Sequence, residues 1–285
     1  MAKAREIKRR IRSIRNTMQL TRAMKMVSAA KLRRAQDRIV RVRPFARRLE
    51  AVLRSLAARV DREEHPLLAT REERRVELLV IASDKGLAGS FNTNVLKAAA
   101  NFAASLAGRE LTIQAIGRKT SDYFRRRGRP IASEKLDLFR SFDFTTAAAI
   151  ARDLMDRYAA GQVDAVYLAY NEFKSAMGQT PVIERVLPVV AEQAATEETT
   201  EDYIYEPSAE ALLERIVPQS VEIQIFRALL ESNAAEHAAR MTAMDSATKN
   251  AGELIDSLTL YMNRVRQAAI TTDIIEVVSG AAALG

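Results

Sequence analysis

Residues 1–43 read MAKAREIKRRIRSIRNTMQLTRAMKMVSAAKLRRAQDRIVRVR and contain neither Gly nor Pro. The first Gly of the chain is Gly86, and residues 219–279 contain a single Gly and no Pro. Because Gly and Pro are the residues that usually end helices, each end of the chain is predicted to form one very long helix. A helix of about sixty residues is about 90 Å long, whereas a compact globule of this chain length is roughly 50 Å across. The terminal helices are therefore expected to project from a separate folded body.

An apolar seam runs along the first helix at alternating steps of four and three residues, which is the spacing of a coiled coil. Thirteen of its sixteen positions are apolar. The positions are Ile7, Ile11, Ile14, Met18, Thr21, Lys25, Ser28, Leu32, Ala35, Ile39, Val42, Ala46, Leu49, Leu53, Leu56 and Val60. The three polar members are consecutive, and nearby apolar residues 20, 24 and 26–27 lie off the seam. This stretch is either a local packing irregularity or a turn that also faces an outside partner.

The same steps over Ile223–Ala269 meet eleven apolar residues among fourteen. His237 is one of the polar exceptions. It is interpreted as a packed seam residue, because no second His or Cys lies nearby to share a metal ion with it. Two such seams at opposite ends of one chain predict an antiparallel coiled coil formed by residues 1–60 and 219–285.

Beyond Ala269 the apolar residues lie on nearly every face of the helix. They include Ile270, Ile274, Ile275, Val277 and Val278. A helix that is apolar all round must be surrounded, so this tip is expected to sit in a hydrophobic socket made by other subunits. A disordered tail is the alternative interpretation.

The middle of the chain, residues 76–190, alternates short apolar runs with helical patterns. Strands are predicted at 76–82, 111–116, 163–170 and 182–189, and helices at 92–106, 118–127 and 145–160. This alternation indicates a small central α/β domain with a mainly parallel sheet. Pro181 and Pro188 place the last strand at an edge. Residues 61–75 and 191–218 are predicted to be connecting segments, and the acidic stretch 191–202 is predicted to be a loop.

The loop SDKGLAGS, residues 83–90, follows the first predicted strand and leads into a helix. Nucleotide-binding α/β proteins carry their phosphate loop at this point, but the residues match neither the P-loop nor the dinucleotide fingerprint. The loop is therefore interpreted as a structural turn with an exposed binding face. The sequence shows no His–carboxylate pair, nucleophile elbow or metal-ligand spacing, so no catalytic, cofactor or metal site is predicted.

The net charge of +8 is unevenly distributed. Residues 1–60 carry 19 Lys or Arg and 3 Asp or Glu, a net charge of +16, while the remaining residues carry a net charge of −8. An acidic partner is therefore expected for the first helix. One alternative function is a nucleic-acid-binding or membrane-surface-binding protein that uses this basic helix, although residues 1–60 hold a single aromatic, Phe45. Another is an α/β enzyme with a helical dimerisation arm.

The chain has no Cys, which excludes disulfides, thiolate metal sites and a Cys nucleophile and is compatible with a reducing compartment. A helix needs about 20 apolar residues to cross a bilayer, and no apolar run in the sequence approaches that length. The N-terminus also lacks the apolar core of a secretory signal.

Three stretches resemble the gamma subunit of the rotary F-type ATP synthase. They are Ile7–Ile39, with TRAMKMV at 21–27; Ser83–Asn92, SDKGLAGSFN; and Glu236–Ala283, with RQAAITTDIIEVVSGAAA at its end. The last stretch is the most specific signature of that family. The absence of Cys and of a long regulatory insertion is similar to its bacterial members.

The resemblance implies a central rotor shaft. The coiled coil would enter a ring of alternating alpha and beta subunits, and the body would sit with epsilon on a membrane ring of c subunits, with delta in the same complex. Proton or sodium flow would turn the c ring and the shaft. Each catalytic beta subunit would then meet a different face of the shaft and favour a different conformation. ATP, ADP and Mg would be bound by partner subunits, with no cofactor or catalytic site on this chain. The complex would hold it, peripherally, at the cytoplasmic face of the bacterial inner membrane.

The resemblance also implies contact residues. Those expected to meet beta subunits are Met24, Lys25, Arg240, Arg266 and Gln267. Those expected to meet epsilon or the c ring are Lys85, Asn92, Tyr203, Tyr205 and Glu206. The ring would hold the apolar tip in a sleeve, and because hydrophobic attraction is not directional, such a sleeve retains a shaft while it turns.

Overall fold

The computed structural model describes residues 2–57, 65–175, 178–189 and 208–282. Its two terminal elements are the predicted long helices, of 56 and 74 residues. The elements in chain order are α1 (Ala2–Ala57), β1 (Arg75–Ile81), α2 (Phe91–Ser105), β2 (Glu110–Ile116), α3 (Arg118–Arg125), β3 (Ile131–Lys135), a 3₁₀ turn (Leu138–Arg140), α4 (Phe144–Ala159), β4 (Ala165–Phe173), β5 (Gln179–Leu187) and α5 (Ala209–Ala282).

The five strands form one sheet in the order β3-β2-β1-β4-β5. β1 lies parallel to β2 and β4, β2 lies parallel to β3, and β5 runs antiparallel to β4. The central strand β1 is buried at six of its seven residues, as expected for a parallel strand covered on both faces. The predicted α/β domain with a mainly parallel sheet is confirmed, and its last strand is an edge strand as Pro181 indicated.

The two faces of the sheet are covered by different helices. On one face, Leu78 and Val80 of β1 pack in a common core with Val95 of α2. The opposite face carries Glu77, whose carboxylate accepts a hydrogen bond from Arg157 of α4 at 2.6 Å. This alternation along β1 is the ordinary period of two for a strand.

Two features of the body depart from the sequence-based prediction. β3 was not predicted, because its five residues IASEK lie at an edge and none of them is fully buried.

α5 begins at Ala209 rather than at Gln219, so the end of the predicted connecting segment 191–218 is helical. Ser208 caps this helix, since its Oγ accepts a hydrogen bond from Ala211 N at 3.2 Å. Pro218 lies inside the helix and removes one backbone donor, and burial of neighbouring Val217 offsets that loss.

The chain divides into two compact units, Met1–Ala29 with Arg240–Gly285, and Ala30–Ala239. Both divisions fall inside the long helices, whereas the predicted limits of the coiled coil follow the helix ends. Within each unit the seam positions point inward: every described seam position of α1 and of α5 is buried or half-buried. The coiled-coil spacing therefore identified the inward face of both helices.

Candidate interaction surfaces

The polar stretch of the α1 seam faces α5 within the first unit. Thr21 Oγ1 lies 2.8 Å from Thr248 Oγ1, and Lys25 Nζ donates to Asp245 Oδ1 at 2.6 Å. From the first contact to the second, the residue number rises along α1 and falls along α5. The two helices are therefore antiparallel, as predicted. The hydrogen bond from Lys25 holds the pKa of Asp245 below its usual value. Two of the three polar residues that interrupt the apolar pattern, Thr21 and Lys25, are therefore paired with polar groups of α5 inside the seam.

The same stretch of α1 carries apolar side chains on its outside. Leu20, Met26 and Val27 are 61%, 62% and 56% exposed, and Met24 is half-buried beside them. A helix that only packs against its own chain usually has polar residues on its outer face. An apolar cluster there is typical of a surface that another protein covers.

The three predicted contact residues of α5 do not form one site. Arg240 is half-buried and makes a contact within the chain. Arg266 and Gln267 are exposed, and they lie about 40 Å further along the helix at 1.5 Å per residue. They are therefore available for a contact that is separate from the one near Arg240.

The apolar tip of α5 is uncovered in this chain. Each of Ile270, Ile274, Ile275, Val277 and Val278 is exposed, by 45% to 72%. Residues 271–279 are exposed at every position, so no other described part of the chain covers the tip. This is the arrangement expected of a helix end that requires a socket from other molecules.

Hydrogen bonds within the loop after β1, and from it to the segments that follow β2 and β3, hold the loop in place. Asn92 Oδ1 accepts a hydrogen bond from Ser83 N at 2.9 Å, and the Ser83 hydroxyl lies 2.5 Å from the Lys85 carbonyl oxygen. Asp84 Oδ1 accepts from Arg118 N at 3.0 Å and from Asp137 N at 3.1 Å. Because these groups follow β1, β2 and β3, one carboxylate connects the carboxyl ends of three neighbouring strands.

The outer edge of this loop is an exposed tip. Lys85 points into solvent, whereas Asn92 is half-buried and holds the loop together. Leu87 is 65% exposed and adopts a φ of 60°, a strained conformation for a residue with a branched side chain. Sequence reasoning did not single it out. Its signal was a large apolar residue placed between Gly86 and Gly89, where a soluble loop would usually carry a polar one.

Several predictions concern residues or groups that the structure does not test. Tyr203, Tyr205 and Glu206 lie outside the described residues, so their contact with the c ring stays a prediction. Among the residues that are described, no group of three or more His, Cys, Asp or Glu side chains is placed to hold a metal ion. The described helices include none with the length and apolar character of a membrane span.

Comparison with known proteins relates this fold to rotary ATP synthases. The family model described as ATP synthase matches residues 3–284. A protein of Solibacter usitatus named ATP synthase gamma chain is 55% identical over 282 residues, covering 98% of each chain. A protein of the same name from Anaeromyxobacter sp. (strain Fw109-5) is 50% identical over 289 residues and covers 100% of each chain.

Solved structures give the same result. A chain in the central stalk and c-ring structure of the Tetrahymena thermophila mitochondrial ATP synthase is 28% identical, with a TM-score of 0.61 over 80% of this chain and 99% of that one. A chain of the Euglena gracilis mitochondrial enzyme is 20% identical, with a TM-score of 0.72 over 99% of this chain and 95% of that one, which is a likeness of fold.

The chain has long terminal helices and a mixed sheet, and it shares this fold with these structural neighbours. It is therefore a protein of the central-stalk class. Within that class, the chain belongs to the ATP synthase gamma chain family. Nothing in these findings supports the alternatives of a nucleic-acid or membrane-surface binder or of an independent α/β enzyme.

Proposed function

We propose that this chain is the central rotor shaft of an F-type ATP synthase. It would couple proton or sodium flow through a c ring to ATP synthesis or hydrolysis on beta subunits. The observation that carries the proposal is the first unit, in which an antiparallel helix pair has paired polar residues at its centre and uncovered apolar surfaces outside. Such a helix pair needs partners around it, and a ring of subunits covers all its sides.

The mechanism follows from the asymmetry of the helix pair. α1 presents Leu20, Met26 and Val27 on one side, while α5 presents exposed Arg266 and Gln267 at another height. Three equivalent subunits around such a pair meet different faces at any moment. Each is then biased toward the conformation that its own contact favours, because a contact shifts an equilibrium only by its differential free energy. Turning the pair moves that bias from one subunit to the next.

Met24 and Lys25 would meet the acidic lever of a beta subunit, although Lys25 must share its ammonium with Asp245. Arg240 would lie near a second beta contact, and Arg266 with Gln267 would form polar catches below the tip. The Lys85 tip of the β1 loop would face epsilon, and residues 203–207 would face the c ring.

The chemistry of ATP would take place on the partners. The proposed complex contains alpha, beta, epsilon and c-ring subunits with delta, and ATP, ADP and Mg are bound by those partners. This chain has neither a catalytic site nor a cofactor in that proposal. The complex holds it peripherally at the cytoplasmic face of a bacterial inner membrane.

Reconstitution with the cognate alpha and beta subunits tests the proposal. Native mass spectrometry is expected to give one copy of this chain per alpha–beta hexamer, and ATP hydrolysis is expected to fall when the chain is omitted. The matched control is a chain that carries Ile274→Glu and Val277→Glu, which places charge on the apolar tip and is expected to weaken assembly. Failure of the unaltered chain to form a complex, together with salt-sensitive binding to DNA or anionic vesicles, would overturn it.

A further inference from the structure

The second unit contains a row of polar contacts between α5 and the sheet. Gln224 Nε2 donates to the Arg185 carbonyl oxygen at 3.2 Å. One turn further, Arg227 Nη2 lies 3.2 and 3.1 Å from the two carboxylate oxygens of Glu184. These contacts fasten α5 to β5, the edge strand of the sheet.

The next turn of α5 reaches the end of β4. Glu231 Oε2 accepts a hydrogen bond from Phe173 N, and Ser232 Oγ accepts one from Asn171 N, both at 3.3 Å. All four groups are buried. The Asn171 side chain then donates to the Phe91 carbonyl oxygen at 3.2 Å, at the first residue of α2. The row therefore runs from β5 across β4 to the helix that follows the β1 loop.

The backbone explains why α5 supplies acceptors at this point. β4 pairs with β1 only as far as Ala169, because β1 ends at Ile81. The amides of Asn171 and Phe173 are two residues apart and so point toward the same edge of the strand. No strand of the described residues continues there to accept them, and a buried N–H without a partner is destabilising. Glu231 and Ser232 take the place of the missing strand.

These contacts are directional, unlike the apolar packing beside them. Val221, Ile225 and Leu229 are fully buried along the same part of α5, but hydrophobic burial depends on area and hardly on orientation. Side chains lie about 5–6 Å from the helix axis, so a roll of about 20° displaces them by about 2 Å. A hydrogen bond does not survive that displacement, whereas much of the apolar contact does.

We infer that Arg227, Glu231 and Ser232 are positioning residues that lock α5 against the sheet in rotation about its own axis and in register. α5 continues without interruption from Ala209 to Ala282. Torque applied to the α/β domain is thereby transmitted to α5, because α5 cannot rotate about its own axis against the sheet. The consequence for energy coupling rests on the proposed rotor function, whereas the lock itself concerns the folded chain alone.

The burial of Glu231 is consistent with a rigid joint. Burial raises the pKa of its carboxyl group, and the Arg227 guanidinium opposes that shift. A buried carboxyl group that reaches a backbone amide is a costly feature unless every partner stays in place. Rolling of α5 would separate it from Phe173 N and leave both groups buried without partners.

The lock is tested on the full chain by pulsed electron paramagnetic resonance. The chain has no Cys, so spin labels can be placed through Lys97→Cys on α2 and Arg215→Cys on α5, both exposed positions in the second unit. The unaltered joint is expected to give a narrow distance distribution. Glu231→Leu with Ser232→Ala is expected to shift its centre by about 2 Å or to broaden it roughly two-fold.

Two controls make the result specific. Glu231→Gln keeps an oxygen that accepts a hydrogen bond from Phe173 N, and it is expected to give the same narrow distance distribution as the unaltered chain. Arg125→Gln with Glu134→Gln breaks an ion pair between α3 and β3 that does not involve α5, and it is expected to leave the distribution unchanged. If the double variant does not fold, Ser232→Ala alone removes one acceptor and is expected to give a smaller broadening.

The outcomes separate the joint from the rotor proposal. A double variant with the unaltered distribution overturns the lock, even if the chain assembles with alpha and beta subunits. Broadening together with fewer ions moved per ATP in the assembled enzyme supports both the lock and its role in coupling. Broadening in the double variant, when the unaltered chain itself forms no complex with alpha and beta subunits, supports the lock and overturns the rotor function.

Discussion

Lys25 of α1 and Asp245 of α5 form an ion pair at 2.6 Å, one turn from the contact between Thr21 and Thr248. Both charged side chains keep about a third or more of their surface exposed. Such a pair contributes little free energy in water, but polar groups in an otherwise apolar seam specify which residues lie opposite each other. The pair is therefore best understood as a device for alignment.

The first prediction concerns the pH dependence of this alignment. The folded-state pKa of Asp245 is lowered, chiefly by the hydrogen bond from Lys25. The stabilisation is therefore present above the ordinary carboxyl pKa and is lost as pH falls through the lowered value. Asp245→Asn is expected to remove this part of the pH dependence of amide exchange in residues 20–28. Asp256→Asn, at an exposed carboxylate of the same helix, should leave it intact.

The second prediction is that Met24→Lys harms coupling more than folding. Met24 is half-buried next to the exposed apolar cluster, so the new ammonium can reach solvent in the isolated chain but lies at a moving interface in the complex. The ratio of ions pumped to ATP hydrolysed is expected to fall while the melting temperature changes little. Gln162→Lys adds the same charge at an exposed position of the second unit and serves as control. An unchanged pumping ratio for Met24→Lys would contradict the prediction.

The third prediction is that removal of residues 281–285 is tolerated. The tip offers many apolar side chains, among them Val277 and Val278, and each dispersion contact is individually weak. Assembly and ATP hydrolysis are expected to remain close to those of the full chain. A shorter chain that ends before Ile270 is the informative contrast, because it loses the whole tip. Complete loss of assembly after the five-residue trim is the contrary result.

The fourth prediction compares two glycines with similar values of φ. Gly117 has a φ of +85°, and a Cβ there would lie 2.1 Å from the Ala82 carbonyl oxygen. Gly108 has a φ of +89° with nothing within 4 Å. Gly117→Ala is expected to destabilise the body by about 2–4 kcal/mol through clash and strain, and Gly108→Ala by about 1 kcal/mol through strain alone. Urea unfolding of the two variants measures the difference, and equal midpoints would refute it.

The fifth prediction concerns Glu77, a fully buried carboxyl group on β1. Burial raises its pKa, while Arg157 opposes the shift. Because the folded pKa lies above the unfolded one, the folded state binds the proton more tightly. Stability therefore falls as pH rises from the ordinary carboxyl pKa through the raised value. Glu77 Oε2 and Gln114 Oε1 are both buried acceptors without a partner among the described residues.

Glu77→Gln replaces Oε2 with an amide nitrogen that can donate to Gln114 Oε1, and it keeps Oε1 as the acceptor for Arg157. Its free energy of unfolding is expected to be at least that of the unaltered chain near pH 8 and to change less with pH. Glu77→Leu leaves Arg157 without its carboxylate and is expected to cost about 3 kcal/mol. Urea titrations across the acid-to-neutral range give both values, and a pH profile of Glu77→Gln that matches the unaltered chain would reject the assignment.

The coiled-coil seams could be predicted because their spacing is a local property of each helix. Lys25 was placed on the seam by position alone, and the structure gives it a partner there. The contact with Asp245 could not be foreseen, since it joins residues 220 positions apart. The start of α5 was missed for a related reason: Pro218 indicates a helix end locally, whereas burial of Leu213 and Val217 in the body favours a longer helix.

The α/β body was predicted where its strands are continuous and apolar, as in β1. β3 was missed because Ile131–Lys135 is a partly exposed edge strand whose pairing with β2 provides most of its definition. The joint formed by Glu231 and Ser232 was not visible in the sequence. Its reason lies in the unequal lengths of β1 and β4, which only the three-dimensional sheet reveals.

The distance in sequence between the two halves of the seam also has a consequence for biosynthesis. Thr21 and Thr248 are separated by 227 residues, and a ribosome adds roughly 5–20 residues per second. The apolar stripe of α1 therefore emerges on the order of 10–40 seconds before its partner helix has been made. The excess of Arg and Lys on α1 keeps that waiting segment hydrated and repels other nascent copies. The positive charge of the first helix thus opposes aggregation of the nascent chain before the complex is assembled.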